Sequence, residues 1–330
     1  MKIRDFLKLA VYTQLLPALE SGQEELLVGG QAVVEGVMMR APHSFSVAVR
    51  QPSGQIAVHR EPVRRPSERY PILRFPILRG LGTLGQSMWL GVRALRYSAL
   101  CALDQEGNAK SAEQKSAETG GWAMTLNLAF SALFFLAFYK FLPLFLATVM
   151  ERHFPSLENH FLFNLTDGVI RLALFLAFLG AISSWKEIRR VYEYHGAEHK
   201  TVFNFESGDT VNIENARRFS RLHPRCGTSF LLVVMVVSLL LFLLIPFHSF
   251  WLRLVSRIVL LPVITGVSYE VIRFSAKRGG WLWTQLIRPG LLLQRITTAV
   301  PSDDQLETAV RALEEAMTLE RAQGGELVIA

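Results

Sequence analysis

Apolar runs too long for a soluble core constrain this chain most. Phe230 to Phe247 carries no charge. Trp122 to Met150, Phe161 to Trp185 and Trp251 to Phe274 are interrupted by few charges. Each run approaches or exceeds the about 20 helical residues that cross a bilayer. Hydrophobic residues make up 50% of the chain and its mean hydropathy is +0.27. These values exclude an ordinary soluble domain. They predict an α-helical polytopic membrane protein with about four transmembrane helices, a small N-terminal β-rich cytoplasmic domain and a C-terminal amphipathic helix.

Charge orients the spans. Connector 186–227 holds Lys186, Arg189, Arg190, Lys200, Arg217, Arg218, Arg221 and Arg225, whereas connectors 151–160 and 248–250 hold few cations. The positive-inside rule makes 186–227 cytoplasmic, and four spans then put both termini on that side. The net charge of +7 and the pI of about 9.6 belong to such loops and imply membrane lipids, not nucleic acid, as partners. With only Cys101 and Cys226 there is no disulfide framework.

Residues 1–25 read as an amphipathic helix on the bilayer, because Lys2, Arg4, Asp5 and Lys8 break any signal-peptide core. Residues 26–62 read as strands, Leu27 to Arg40, Ser44 to Arg50 and Gln55 to Arg60, with a turn at 51–54 and a tight turn at Gly29-Gly30. Residues 63–103 form an interfacial helical region whose arginines meet lipid phosphates, or one packed through Gly80, Gly82, Gly85 and Gly91. Residues 104–120 are a linker. Transmembrane hairpins at 121–185 and 228–274 flank the connector.

Lys140 is expected to snorkel to the outer interface, and Asp167 and Arg171, four residues apart, to neutralise each other. In the C-terminal region 275–330, Lys277 to Trp283 reads as an interfacial anchor and Arg288-Pro289-Gly290 as a break. Ser302-Asp303-Asp304-Gln305 caps a helix with an apolar stripe from Leu306 to Met317. That stripe needs a surface: the β region, a protein partner or a second copy in a homo-oligomer.

The chemistry concentrates in the connector. His195-Gly196-Ala197-Glu198-His199 places two imidazoles four residues apart on one helix face, beside a carboxylate. His-x-x-Glu-His is the pattern of the inverted zinc peptidases. There the histidines hold a divalent metal, most often zinc, and the glutamate takes a proton from water. A third ligand is required; His223 and Cys226 are the best candidates, with Glu206, Asp209 and Glu214 behind them. Three protein ligands leave an open, catalytic position, and four close a structural site. The plainer account makes these histidines hydrogen-bonders within a loop. Gly196 weakens the helix, and a straight continuation of the second span carries the histidines far beyond the bilayer, so either the chain bends, with Gly196 one place for it, or the third span extends upward to meet them. Glu35 among apolar neighbours reads as a catalytic acid or base, or as the partner of Arg40. Arg217, Arg218 and Arg221 read as contacts to lipid headgroups.

Three stretches, Gly29 through Arg40, Tyr194 through Lys200, and His223-Pro224-Arg225-Cys226-Gly227-Thr228-Ser229, together resemble the YqhQ-like family of bacterial membrane proteins. The resemblance extends to Pro289 through Thr298 and to the Asp303 start of the last helix. It implies a bacterial inner-membrane protein of a family described as predicted metal-dependent enzymes, and it brings no substrate. Arg225 in the third stretch joins Glu35 and Arg40 as a further site candidate. Two functions remain: a membrane-anchored metal-dependent hydrolase with Glu198 as base, and a non-catalytic scaffold or regulator in which the His/Cys cluster is structural. A transporter ranks third.

Overall fold

The computed structural model describes residues 28–103, 121–224, 226–278 and 281–323. The expected N-terminal helix 1–25, the linker 104–120 and Arg225 lie outside those residues.

Strands β1 (Gly29–Val33), β2 (Gly36–Arg40), β3 (Ser44–Arg50) and β4 (Ile56–Pro62) form one antiparallel meander in chain order. The helices are α1 (Leu78–Leu103), α2 (Gly121–Leu136), α3 (Leu142–Glu151), α4 (His160–Ser183), α5 (Lys186–Glu206) and α6 (Ile213–Arg218). They continue with α7 (Gly227–Leu243), α8 (Phe250–Val259), α9 (Leu261–Arg278), α10 (Trp281–Thr297) and α11 (Asp303–Ala322).

The sheet is buried on both faces, which explains why its strands alternate only in part. Phe45, Val47 and Val49 of β3 pack with Met38 against Leu90, Ala94, Tyr97 and Cys101 of α1. On the other face, Val37, Met39 and Ala48 meet Tyr194 and Ala197 of α5 and Leu306, Ala309, Leu313 and Ala316 of α11. Ser44 and Ser46 also face α11 and donate to the carbonyls of Ala316 and Ala312. Small residues on both sides bring the helix close enough for those bonds. The stripe of α11 is thus covered within the chain, and its capping box of Ser302 and Gln305 is formed.

Leu27 to Arg40 is not one strand. It folds back at Val34-Glu35, where Val33 pairs with Gly36 and Glu35 adopts φ 53°. Gly29 and Gly30 lie inside β1 and make no tight turn. Gly30 serves close approach instead, since a Cβ there would stand 2.6 Å from Glu198 Cγ. The expected break at Arg288-Pro289-Gly290 is absent: α10 runs through Pro289, and Gly290 packs directly on Ser229 of α7.

Ala129–Glu151 and His160–Ser183 are long and apolar enough to cross a membrane. Phe250–Val259 and Leu261–Phe274, bent by 48°, make a third crossing if they count as one span; Gly227–Leu243 is apolar but shorter. Among the described residues, length and composition identify two such elements, or three with the bent pair counted as one span, against the expected four. The bend falls just before Pro262, which cannot continue the hydrogen-bond ladder of α8. Pro143 likewise follows a π-turn at Ala137–Phe141.

His43, in the β2–β3 turn, clips three elements together. Its ring bonds Glu320 of α11 at 3.0 Å and Glu68 of a short helical turn at 2.9 Å. Burial lowers the His43 pKa, but the two carboxylates outweigh it and raise the value above the ordinary 6.5. The folded protein therefore favours the imidazolium. The associated stability is complete below about pH 6.5 and is lost as pH rises through the elevated value. The ring is one-third exposed, so the contribution is at most about 1 kcal/mol. Thermal unfolding from pH 6 to pH 8.5 should show this loss in the wild type and not in His43→Gln.

Candidate metal centre

The chain breaks between α4 and α5 at Trp185, whose φ and ψ are −82° and 134°. Helix α5 therefore turns away from α4 and lies under the sheet. Of the two expected solutions the chain takes the bend, and takes it here and not at Gly196. Gly196 instead makes room for a neighbouring segment, because a Cβ there would overlap the Ala299 carbonyl oxygen. Its bare Cα lets the segment after α10 run against α5, where Ala299 N donates to Tyr192 O at 2.8 Å.

One donor atom each from His195, His199 and Cys226 lies within 4.8 Å of the others, a grouping able to hold a metal ion. His195 Nε2 stands 3.2 Å from Cys226 Sγ. Tetrahedral zinc holds nitrogen and sulfur donors about 3.6 Å apart, so the spacing fits with little adjustment. Cys226 caps α7, and its sulfur is oriented by Thr228 N at 3.4 Å and Thr228 Oγ1 at 3.1 Å.

The hydrogen bonds fix the tautomers. His195 Nδ1 meets Thr297 O at 2.8 Å, and His199 Nδ1 meets Arg221 O at 2.5 Å. A carbonyl only accepts, so each Nδ1 carries a proton, and in the neutral ring Nε2 presents a lone pair. Backbone carbonyls behind ligand histidines are a standard support of metal sites. His199 Nε2 is buried and has no hydrogen-bond partner. It lies 3.4 Å from Glu198 Oε2, itself an acceptor when ionised. Two acceptors facing each other in a buried site call for a proton or a cation between them.

Glu198 is buried against Gly30 of β1. His223 lies beside the cluster, its ring centroid 5.6 Å from that of His199, but its Nε2 bonds Glu206 at 3.3 Å. Glu214 pairs with Arg218. Glu35 is tied to Arg190 and Tyr194 of α5 and not to Arg40. Its hydrogen bond raises the Arg190 pKa, and burial, followed by the Glu35 charge, pushes the Tyr194 pKa up. Arg40 donates to Ser87 and Gln86 of α1, and burial lowers its pKa. Arg217 pairs with Asp303 and Arg221 donates to Thr298 O, so both are engaged within the fold.

Gln294 had no role in the reading of the sequence. Fully buried, it accepts from His223 N at 2.7 Å and donates to His223 O at 2.7 Å and Ser229 Oγ at 2.9 Å. It pins the Cys226 loop to α10. Its one signal is an amide following Leu291-Leu292-Leu293, where an apolar residue was due.

These features define a class: a mostly helical chain with an N-terminal four-stranded sheet, two to three helices of membrane length, and a His/His/Cys cluster between sheet and helices. The chain belongs to the family described as "Protein of unknown function (DUF1385)", which matches residues 75–319. It is 33% identical over 298 residues to "Uncharacterized protein YqhQ" of Bacillus subtilis (strain 168), covering 88% of this chain and 92% of that protein. The YqhQ-like membership expected from the three stretches therefore holds. No solved structure matches the chain.

Proposed function

We propose that the chain is a multi-pass inner-membrane protein with a zinc centre at its cytoplasmic face, formed by His195, His199 and Cys226, and that it acts as a metal-dependent hydrolase. The carrying observation is the pair of imidazoles whose Nδ1 atoms are engaged by carbonyls, with His195 Nε2 3.2 Å from the Cys226 thiol and one donor of each of the three residues within 4.8 Å of the others. Three protein donors leave a fourth position for water or substrate. Bound zinc supplies a water that deprotonates near neutral pH and an electrophile for a carbonyl or phosphoryl oxygen. Glu198 would be the general base beside that centre, its carboxylate 3.4 Å from His199 Nε2. Gly30 and the sheet hold Glu198 in place, and Thr297 and Arg221 hold the histidines.

The membrane reading draws on side chains such as Phe130, Leu133, Val169, Trp251 and Val259, all more than half exposed along the apolar helices. In a bilayer these meet lipid. The cationic connector supports a cytoplasmic position for the cluster. The substrate class is a peptide or lipid-linked molecule at the membrane surface.

Elemental analysis of the purified protein is expected to find about one zinc per chain, and background levels in His195→Ala/His199→Ala. A metal-free wild type overturns the reading. Glu198→Gln should keep the metal and lose hydrolysis.

His223 supports a second reading. A ring rotation away from Glu206 would bring it toward the open position and close the site as a structural one. Glu198→Gln that retains function, with a visible spectrum of the cobalt-substituted protein showing three nitrogen ligands and one sulfur, would favour that scaffold.

A further inference from the structure

Helix α7 carries Cys226 at one end and Phe242 at the other, about 24 Å apart at 1.5 Å per residue. Around Phe242 is a second cluster, unconnected with the candidate metal centre. Lys140 Nζ stands 5.9 Å from the Phe242 ring centroid, and the guanidinium carbons of Arg171 and Arg257 stand 5.4 Å and 4.9 Å from it. Lys140, Arg171 and Arg257 are each at most 2% exposed. Lys140 therefore does not snorkel.

The charges do not balance. Asp167 accepts from Arg171 and, at 3.0 Å, from Arg257. Arg253 does not draw on it, being paired with Glu151 at 2.8 and 2.9 Å. Three cations against one carboxylate leave a formal charge of +2. Among the described residues, no hydrogen bond or ion pair reaches Lys140 Nζ; its neighbours are the rings of Tyr139 and Phe242. Arg171 Nε is a buried donor without a partner, and Asp167 Oδ1 a buried acceptor without one. Uncompensated charge in a bilayer interior is too costly to persist, and such residues mark ligand or ion sites. The π-turn at Ala137–Phe141 carries Lys140 into this position, and π-turns recur at functional sites.

We propose that Lys140, Arg171 and Arg257 bind a phosphate-class oxyanion, either free phosphate or the headgroup of an anionic lipid, at the end of the helices away from His195. The anion supplies the missing negative charge, Lys140 and Arg171 Nε provide the free donors, and Asp167 Oδ2 bridges the two guanidinium groups. The site rests on the membrane reading of these helices and is independent of the zinc.

The test uses the full chain in nanodiscs of neutral phosphatidylcholine, with thermal unfolding as readout. One arm adds inorganic phosphate; the other replaces part of the lipid with phosphatidic acid. At least one arm should raise the unfolding temperature of the wild type by several degrees. The responding arm identifies the source. Lys140→Met should lose that shift and, without anion, unfold no lower than the wild type, because it removes a buried charge without stranding a partner. Lys140→Gln takes its place if the methionine variant does not fold. A wild type indifferent to both anions overturns the proposal, as does a Lys140 variant that shifts as the wild type does.

Discussion

Gly196→Ala is expected to cost about 3 kcal/mol or more of stability and to weaken metal binding at the same time. In most exposed helices the change would gain up to about 1 kcal/mol, since alanine outranks glycine. Here the new methyl would collide with the Ala299 carbonyl oxygen. Backbone must move, and the bond from Ala299 N to Tyr192 O is the first to go. Two residues upstream, Thr297 O holds His195 Nδ1. Displacing it frees the imidazole to rotate and to change tautomer, and loss of such a support lowers metal affinity about 10- to 100-fold. Thermal unfolding and zinc titration measure the two effects separately. Gly180→Ala is the control: nothing lies within 4 Å of its added methyl, so it should be neutral or slightly stabilising. A Gly196→Ala protein matching wild type in both assays would remove the packing argument and the role given to Thr297.

Much of this was legible because periodicity and motif speak locally. The His-x-x-Glu-His spacing put both histidines on one helix face, and the capping box at Ser302 marked the start of α11. Cys226 was recognisable as a ligand candidate by type, but its choice over His223 was not. That choice depends on Gln294 and Glu206, which hold His223 at both ends, and neither is near it in sequence. Gly30 and Gly196 were read as local conformational signals, a turn and a weak helix. Both are places where another segment's atoms need the space of a Cβ, and such needs leave no trace within a short window. Glu35 shows the same limit. Its apolar neighbours flagged it correctly as unusual, but its partner lies 155 residues away on α5. The charged residues in the apolar runs were misjudged for a related reason. Read singly, Lys140 has an exit to the interface. Only the packing of the π-turn with α4, α7 and α8 brings Lys140 and Arg257 together around Phe242, with the Asp167 carboxylate beside Arg257.

That carboxylate carries the second large effect. Asp167→Ala should destabilise the protein by about 3–5 kcal/mol, the usual cost of stranding a buried charge. Asp167 is fully buried and accepts from both Arg171 and Arg257. Without it, three cations share a bilayer interior with no counter-charge. Replacing the whole network, Asp167→Leu with Arg171→Met and Arg257→Met, should recover most of the loss, because an apolar cluster of similar volume needs no compensation. The single and triple variants together separate lost charge from lost volume. The same arithmetic predicts opposite trends in intrinsic stability and in the response to anions. Asp167→Ala raises the formal charge of the cluster from +2 to +3, so any stabilisation by phosphate-class anions should grow in that variant as intrinsic stability falls. A single variant within about 1 kcal/mol of wild type would mean the guanidinium groups find their counter-charge elsewhere, and the excess of positive charge at this end of the helices would have to be recounted.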